Sequence, residues 1–242
     1  DHARLAQQAG SSMPPATVVM VRDPVLEARW LEADPDLALE LPLRVLIHQE
    51  GAAASPLVSR QSGAALLQRH GLSDASLAAL YNTSTTALLQ KVPTSAVRPV
   101  PALESVSDGI VSISSPLDIA STRKRVLEII QSQSDTVLFK EIRFENANHV
   151  KQPTSPITLI LFGAPGPGGR AMADATLLGL DAFCQKLLIR EDADGRVLVR
   201  FNDLTWIAAR QGIAISPVLQ AINTRLIQTF QEGLLASQDA QQ

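Results

Sequence analysis

A chain of 242 residues that is 45% hydrophobic and 19% charged, with a formal net charge of -3, has the length of two ordinary modules, each able to bury a core. Its 21 Lys+Arg against 24 Asp+Glu give no basic face for nucleic acid, and the densest basic run, Arg123, Lys124 and Arg125, reads as a solvated helix face. No apolar run nears the roughly 18 residues that span a bilayer, and a lone cysteine, Cys184, excludes an intrachain disulfide. The expectation is a soluble protein, cytoplasmic or, after loss of an unseen export signal ahead of Asp1, periplasmic.

In chain order, Val18-Val19-Met20-Val21 is the first apolar run of strand character. Arg22 to Arg29 follows as a connecting loop, and Leu43 to Ile47 as a second strand, with His48 at a strand end and His70 at a helix end. Val92 to Ser107 contains Pro93, Pro99 and Pro101, a composition that resists helix and sheet and predicts a semi-rigid linker.

Beyond it, Gly109 to Ser114 is a short alternating strand, and Ser115-Pro116 reads as the N-cap and first-turn proline of a helix whose Ile119, Val126, Leu127 and Ile130 share a face. A strand with imperfect alternation, hence a bulge, is expected over Val137 to Phe144, and another over Ile157 to Phe162. A loop over Gly163 to Gly169, a short helix near Arg170 to Leu180, and a strand at Gln185 to Arg190 follow. Asp192-Ala-Asp-Gly195 is a hairpin turn into the strand Arg196 to Asn202. Asp203 caps one closing helix and Ser216-Pro217 opens the other, with Leu219, Ile222, Leu226 and Phe230 on one face.

Shifting the sequence against itself by 141 positions aligns Pro15 to Gly71 with Pro156 to Gly212 without a gap. Pro15/Pro156, Thr17/Thr158, Pro24/Pro165, Leu39/Leu180, Leu57/Leu198, Arg69/Arg210 and Gly71/Gly212 are identical, and the apolar runs superpose. The chain thus reads as a duplication: residues 1–91 a first repeat, 92–107 a linker, 108–242 a second, complete repeat. The fold class is α+β, two tandem copies of a mostly antiparallel sheet covered by helices, the first copy lacking its N-terminal strand, helix and strand. Close packing of the copies, or self-association, is expected to cover what that loss exposes.

The runs Pro156 to Pro165, Gly179-Leu-Asp181, Leu187 to Val199 and Phe201-Asn-Asp203 with Ala208-Ala-Arg210 resemble the bacterial family known as domain of unknown function 302. In the first copy Asp1-His-Ala3, Leu39 to Ile47 and Arg69-His-Gly-Leu72 carry the same likeness, which covers nearly all of both copies. The resemblance implies a fold similar to the TATA-binding-protein type and carries no settled activity. It matches the family's Asp-His pair to Asp1-His2, whereas His149 follows Asn148 and lies six residues nearer to its Pro156.

Histidine is the commonest metal ligand and acid/base side chain, so His2 and His149 are candidate ligand-binding residues. No HExxH, CxxC or triad spacing accompanies them, and neither a metal nor a cofactor is expected. Cys184, aligned with Leu43, is expected to be a small buried residue. Gly166, Gly168, Gly169 and Arg170 lie after a strand and before a helix, where backbone amides can hold an anion. The run is neither a Walker loop nor a dinucleotide fingerprint. Glu40/Asp181 and Glu50/Glu191 recur at matched places, where solvation of element ends is the expected role, and Trp30 and Trp206 are expected to pack between helix and sheet.

These features favour a non-catalytic ligand-binding or interaction protein whose two modules offer the cleft between them to a small ligand or anion. An enzyme built on a His and a carboxylate, and a purely structural oligomerisation unit, are the alternatives from other classes.

Overall fold

The computed structural model describes residues 1–51, 53–100, 108–144 and 156–235. The first half runs α1 (His2–Gln8), β1 (Ala16–Val21), α2 (Pro24–Ala33), a 3-10 helix (Pro35–Glu40), β2 (Leu43–His48), β3 (Leu57–Arg60), α3 (Gly63–Arg69), α4 (Ala75–Leu88) and β4 (Val97–Pro99). The second runs β5 (Ile110–Ser115), α5 (Ile119–Ser132), β6 (Val137–Phe144), β7 (Ile157–Gly163), α6 (Pro165–Met172), a 3-10 helix (Thr176–Leu180), β8 (Gln185–Glu191), β9 (Val197–Asn202), α7 (Leu204–Arg210) and α8 (Pro217–Leu235).

Two sheets result, ordered β1-β2-β3-β4 and β5-β9-β8-β7-β6. The second is antiparallel throughout, with a bulge at Leu138/Lys140 in β6. In the first, β4 joins β3 in parallel, so part of the expected linker is a strand. An edge position accommodates Pro99, which has no N–H to donate.

Side chains at the helix starts set the boundaries. Asp23 accepts from two amides of α2, with Pro24 in its first turn, and Asp203 does the same for α7. The cap of α5 is Asp118, three residues later than Ser115, whose hydroxyl bonds Thr122 instead. Asn82 accepts from Gly63 N at 3.0 Å and Asn223 from Leu204 N at 2.8 Å, so α4 and α8 each tie down the start of the preceding helix in the same way.

Pairing registers refine the match between halves. Val18 faces Leu46, which faces Ser59; Leu159 faces Leu188, which faces Arg200. β1/β7 and β3/β9 therefore keep the 141-residue offset, but β2 matches β8 at 142. An extra residue before β8 is balanced by a shorter hairpin after it, because every side chain of a slipped strand would otherwise change faces. Arg44 is thus the counterpart of Lys186, His48 of Arg190, and Gln185, not Cys184, the counterpart of Leu43.

The second sheet is buried on both faces, which explains the unbroken apolar run of β7. Ile160, Phe162, Leu187, Ile189, Val199 and Phe201 form one core with α5 and α8. Leu159, Leu161 and Leu188, on the opposite face, join Leu37, Ala38 and Leu39 of the first half's 3-10 helix. Reciprocally, Leu180 of the second half's 3-10 helix joins Ala16 and Leu46. Each half lays the same short element on the other's sheet.

Among the described residues, no counterpart of α5 lies on the outer face of the first sheet. Val19 is 38% and Ile47 44% exposed there, while their matches Ile160 and Ile189 are fully buried. Among the described residues β1 also has no strand on its outer edge.

Candidate functional site

Where the halves meet, the same places contribute twice to one buried polar cluster. Arg44 Nε donates to Asp181 Oδ1 at 2.7 Å, and its Nη2 to Glu40 Oε2 at 3.2 Å. Arg69 Nη1 donates to Glu40 Oε1 at 2.7 Å, and His70 Nε2 lies 3.1 Å from the same oxygen. Gln211, the counterpart of His70, donates to Asp181 Oδ2 at 3.1 Å, and Gln61 donates to that oxygen too. The matched residues then cross between halves: Arg69 Nη2 donates to Asn202 Oδ1 at 2.8 Å, and Arg210 Nη2 to Gln61 Oε1 at 2.9 Å. Arg69 also donates to the carbonyls of Asp108 and Gly109 and stacks on Trp206 at 4.7 Å. Lys186 Nζ reaches the Leu41 carbonyl at 3.3 Å.

A second reciprocal pair flanks this centre. Asp36 is held by Arg190, at 2.6 and 2.7 Å, and by Arg200. In mirror fashion Thr176 Oγ1 lies 2.8 Å from His48 Nδ1, whose Nε2 is 2.9 Å from Ser59 Oγ.

Burial raises the Glu40 carboxyl, but Arg69, the hydrogen bond with His70, and Arg44 outweigh that and hold it well below the usual carboxylate range. Asp181 is likewise depressed, burial being overcome by Arg44 and Arg210. Burial, with Arg44 alongside, pushes the Lys186 ammonium well below its usual value. Every oxygen of both carboxylates already accepts a hydrogen bond, and none of these side chains lines the cavity beside α6 or the cleft between α5 and α8. The cluster is a lock between the halves.

The sequence pointed to Glu40 and Asp181 as matched carboxylates at solvated element ends; both are instead buried. It did not single out Arg44, Lys186, Gln61 or Asn202. Identity at Arg69/Arg210 was the legible signal.

The other candidates fall elsewhere. His2 is 6% exposed, its Nε2 3.0 Å from the Gly179 carbonyl oxygen. Burial lowers its pKa to about 4, a neutral ring at ordinary pH. Asp1 does not reach it and caps α1 through the Arg4 amide. The glycine run is not a loop: Pro165 opens α6, Pro167 has no amide hydrogen, and Gly168 N is bonded to the Ala164 carbonyl at 2.8 Å. Its glycines bring α6 against α1. A Cβ on Gly169 would lie 2.5 Å from that of Ala6, and Ser11 Oγ donates to the Gly166 carbonyl at 2.9 Å.

Arg170 is exposed, with Nη1 3.4 Å from Ser11 Oγ. His2 and Gly168 do meet, with Cys184, around a cavity of about 20 Å³, room for about one water. Cys184 precedes β8 and is partly exposed. His149 lies outside the described residues. Among those described, no group of His, Cys, Asp and Glu has the arrangement of a metal site.

A larger cleft, about 70 Å³, opens between α5 and α8 at the ends of β7 and β8. Ile129, Ile130, Ile222, Leu226, Phe162 and Phe230 make its walls, and Gln185 lies among them. At the rim Arg225 holds Asp135 through 2.8 and 3.1 Å contacts and donates to Gln133 at 2.9 Å.

The sequence pattern described as "Domain of unknown function DUF302" matches residues 1–91 and again 111–232. The protein belongs to the DUF302 family. Both halves of the duplication are thus DUF302 regions, and the α+β fold with two sheets agrees with that. The fluoride-specific ion channel FluC 1 of Brucella suis biovar 1 (strain 1330) is 31% identical over 117 residues, 48% of this chain and 46% of the relative. FluC 1 of Brucella abortus biovar 1 (strain 9-941) shows the same identity over 43% of its length. The DUF302 chain thus spans less than half the length of these curated relatives. No helix among its described residues is long and apolar enough to cross a membrane. The crystal structure of an uncharacterized conserved DUF302 protein from Bacillus stearothermophilus superposes with a TM-score of 0.42 at 14% identity, covering 52% of this chain and 95% of that one.

Proposed function

We propose that this protein is a non-catalytic binding protein in which two DUF302 modules act as one pseudo-symmetric body. The observation that carries the reading is the reciprocal lock: Glu40 and Asp181 are fully engaged by Arg44, Arg69 and Gln211, so the richest cluster of ionisable groups is committed to holding the modules together. That cluster fills the space between modules, so a ligand is taken not there but in the cleft between α5 and α8. Fluoride conduction is not carried over from the Brucella relatives, of which this chain covers less than half.

A panel of small amphipathic compounds, read by thermal shift and by mass spectrometry of the compounds afterwards, tests the reading. At least one compound is expected to raise the melting temperature and to be recovered unchanged. Turnover of a compound would overturn the non-catalytic assignment, and a panel without any shift would favour a structural unit.

A further inference from the structure

The cleft between α5 and α8 contains one residue that the packing does not explain. Its walls are apolar, as an amphipathic helix pair over a sheet requires. Gln185 nevertheless stands at its base, 7% exposed, where the matched residue of the first module is Leu43, buried in that module's core. The Gln185 side chain lines the cleft, and its carboxamide, which pairs with no described residue, opens onto the cleft and not into the core. Leucine at the matched place shows that the architecture accepts an apolar residue, and a polar group facing an apolar cleft is what orients a ligand in such sites. The amide is therefore available to pair with a molecule that enters the cleft.

That partner's chemistry follows from the site. The carboxamide offers an N–H donor and a C=O acceptor side by side, which pair best with an acceptor and a donor in the same arrangement. Arg225 and Asp135 at the rim neutralise each other, so the mouth offers no net charge to an ion. The enclosed space is about 70 Å³, enough for a short chain or part of a single ring against Phe162 and Phe230, with the rest of the molecule in the open mouth. We infer that the cleft between α5 and α8 binds a small neutral molecule with an apolar body and an amide-like head, the head paired to Gln185. This deepens the reading of the protein as a binder and rests on it.

Benzamide is a suitable probe, with benzoate and toluene as controls, titrated by NMR into the wild-type chain and into Gln185→Leu. Millimolar benzamide is expected to shift the Ile130, Leu226 and Phe230 resonances, and benzoate to bind more weakly. Gln185→Leu is expected to lose benzamide affinity at least about tenfold, the worth of a buried hydrogen bond, while keeping toluene binding. It should also melt no lower than wild type, since leucine already fills the matched place in the first module. Absence of benzamide binding, or equal binding to both chains, would overturn the inference, as would a lower melting temperature in the variant. A compound from the wider panel that binds elsewhere would leave the binder reading intact while this one fails.

Discussion

His2 is buried against a single carbonyl, and its ring is neutral in the fold, with a pKa lowered from the usual 6.5 to about 4. Between those values the unfolded chain takes up a proton that the folded chain does not, so stability is full above about pH 6.5 and falls as the pH drops to 4. The loss grows by about 1.4 kcal/mol for each pH unit in that window, reaches about 3 kcal/mol, and levels off below pH 4. His48, lowered by burial too, adds in the same direction. Urea unfolding at pH 7 and pH 4 should show the difference, and His2→Gln should reduce it.

The glycines of α6 separate just as sharply. Gly169→Ala must push Ala6 aside and is expected to cost about 1–3 kcal/mol, whereas a Cβ on Gly166 meets its nearest atom at 3.4 Å, and Gly166→Ala should gain up to about 1 kcal/mol. Equal melting-temperature changes for the two would contradict the packing of α1 on α6. The glycine run looked like a loop because its partner, Ala6, lies some 160 positions away in sequence, beyond any local pattern.

Among the elements, the exposed outer face of the first sheet has a measurable consequence. Val19 and Ile160 occupy matched positions on β1 and β7, yet only Ile160 is covered, by a core that includes Val126, Ile129 and Ile130 of α5. Val19→Lys is expected to change stability by no more than about 0.5 kcal/mol, and Ile160→Lys to cost more than about 4, through an unpaired buried charge. Comparable losses for both would mean that the outer face of the first sheet is covered in solution. The strands, the β6 bulge and the caps Asp203 and Ser216 were legible because they rest on local periodicity and turn chemistry. The one-residue slip of β2 against β8 was not, since two compensating changes leave the flanking alignment intact.

Across the full chain, the lock makes the modules interdependent. Arg44→Met leaves Asp181 buried without its closest cation and is expected to cost about 3–5 kcal/mol. Lys186, its counterpart, has one 3.3 Å bond to a carbonyl and an ammonium disfavoured by burial, so Lys186→Met should be neutral or stabilising. Trp30 reports on the first module and Trp206 on the second. Denaturation curves of single-tryptophan variants are expected to coincide, because one core joins Leu37 and Leu39 to Leu159 and Leu188. Two separated transitions would show that the halves fold independently.

The duplication, the α+β class and the family could all be read from the residues alone, because apolar periodicity, turn residues and repeat spacing are written in short stretches of chain. Folding was needed to make the glycine run a helix seam, to bring Glu40 and Asp181 into a lock, and to leave Gln185 unpartnered in an apolar cleft. Each of these depends on side chains that arrive from distant parts of the sequence. Burial and partners, not residue type, set whether a carboxylate, a histidine or an amide is solvated, satisfied or left to meet a ligand.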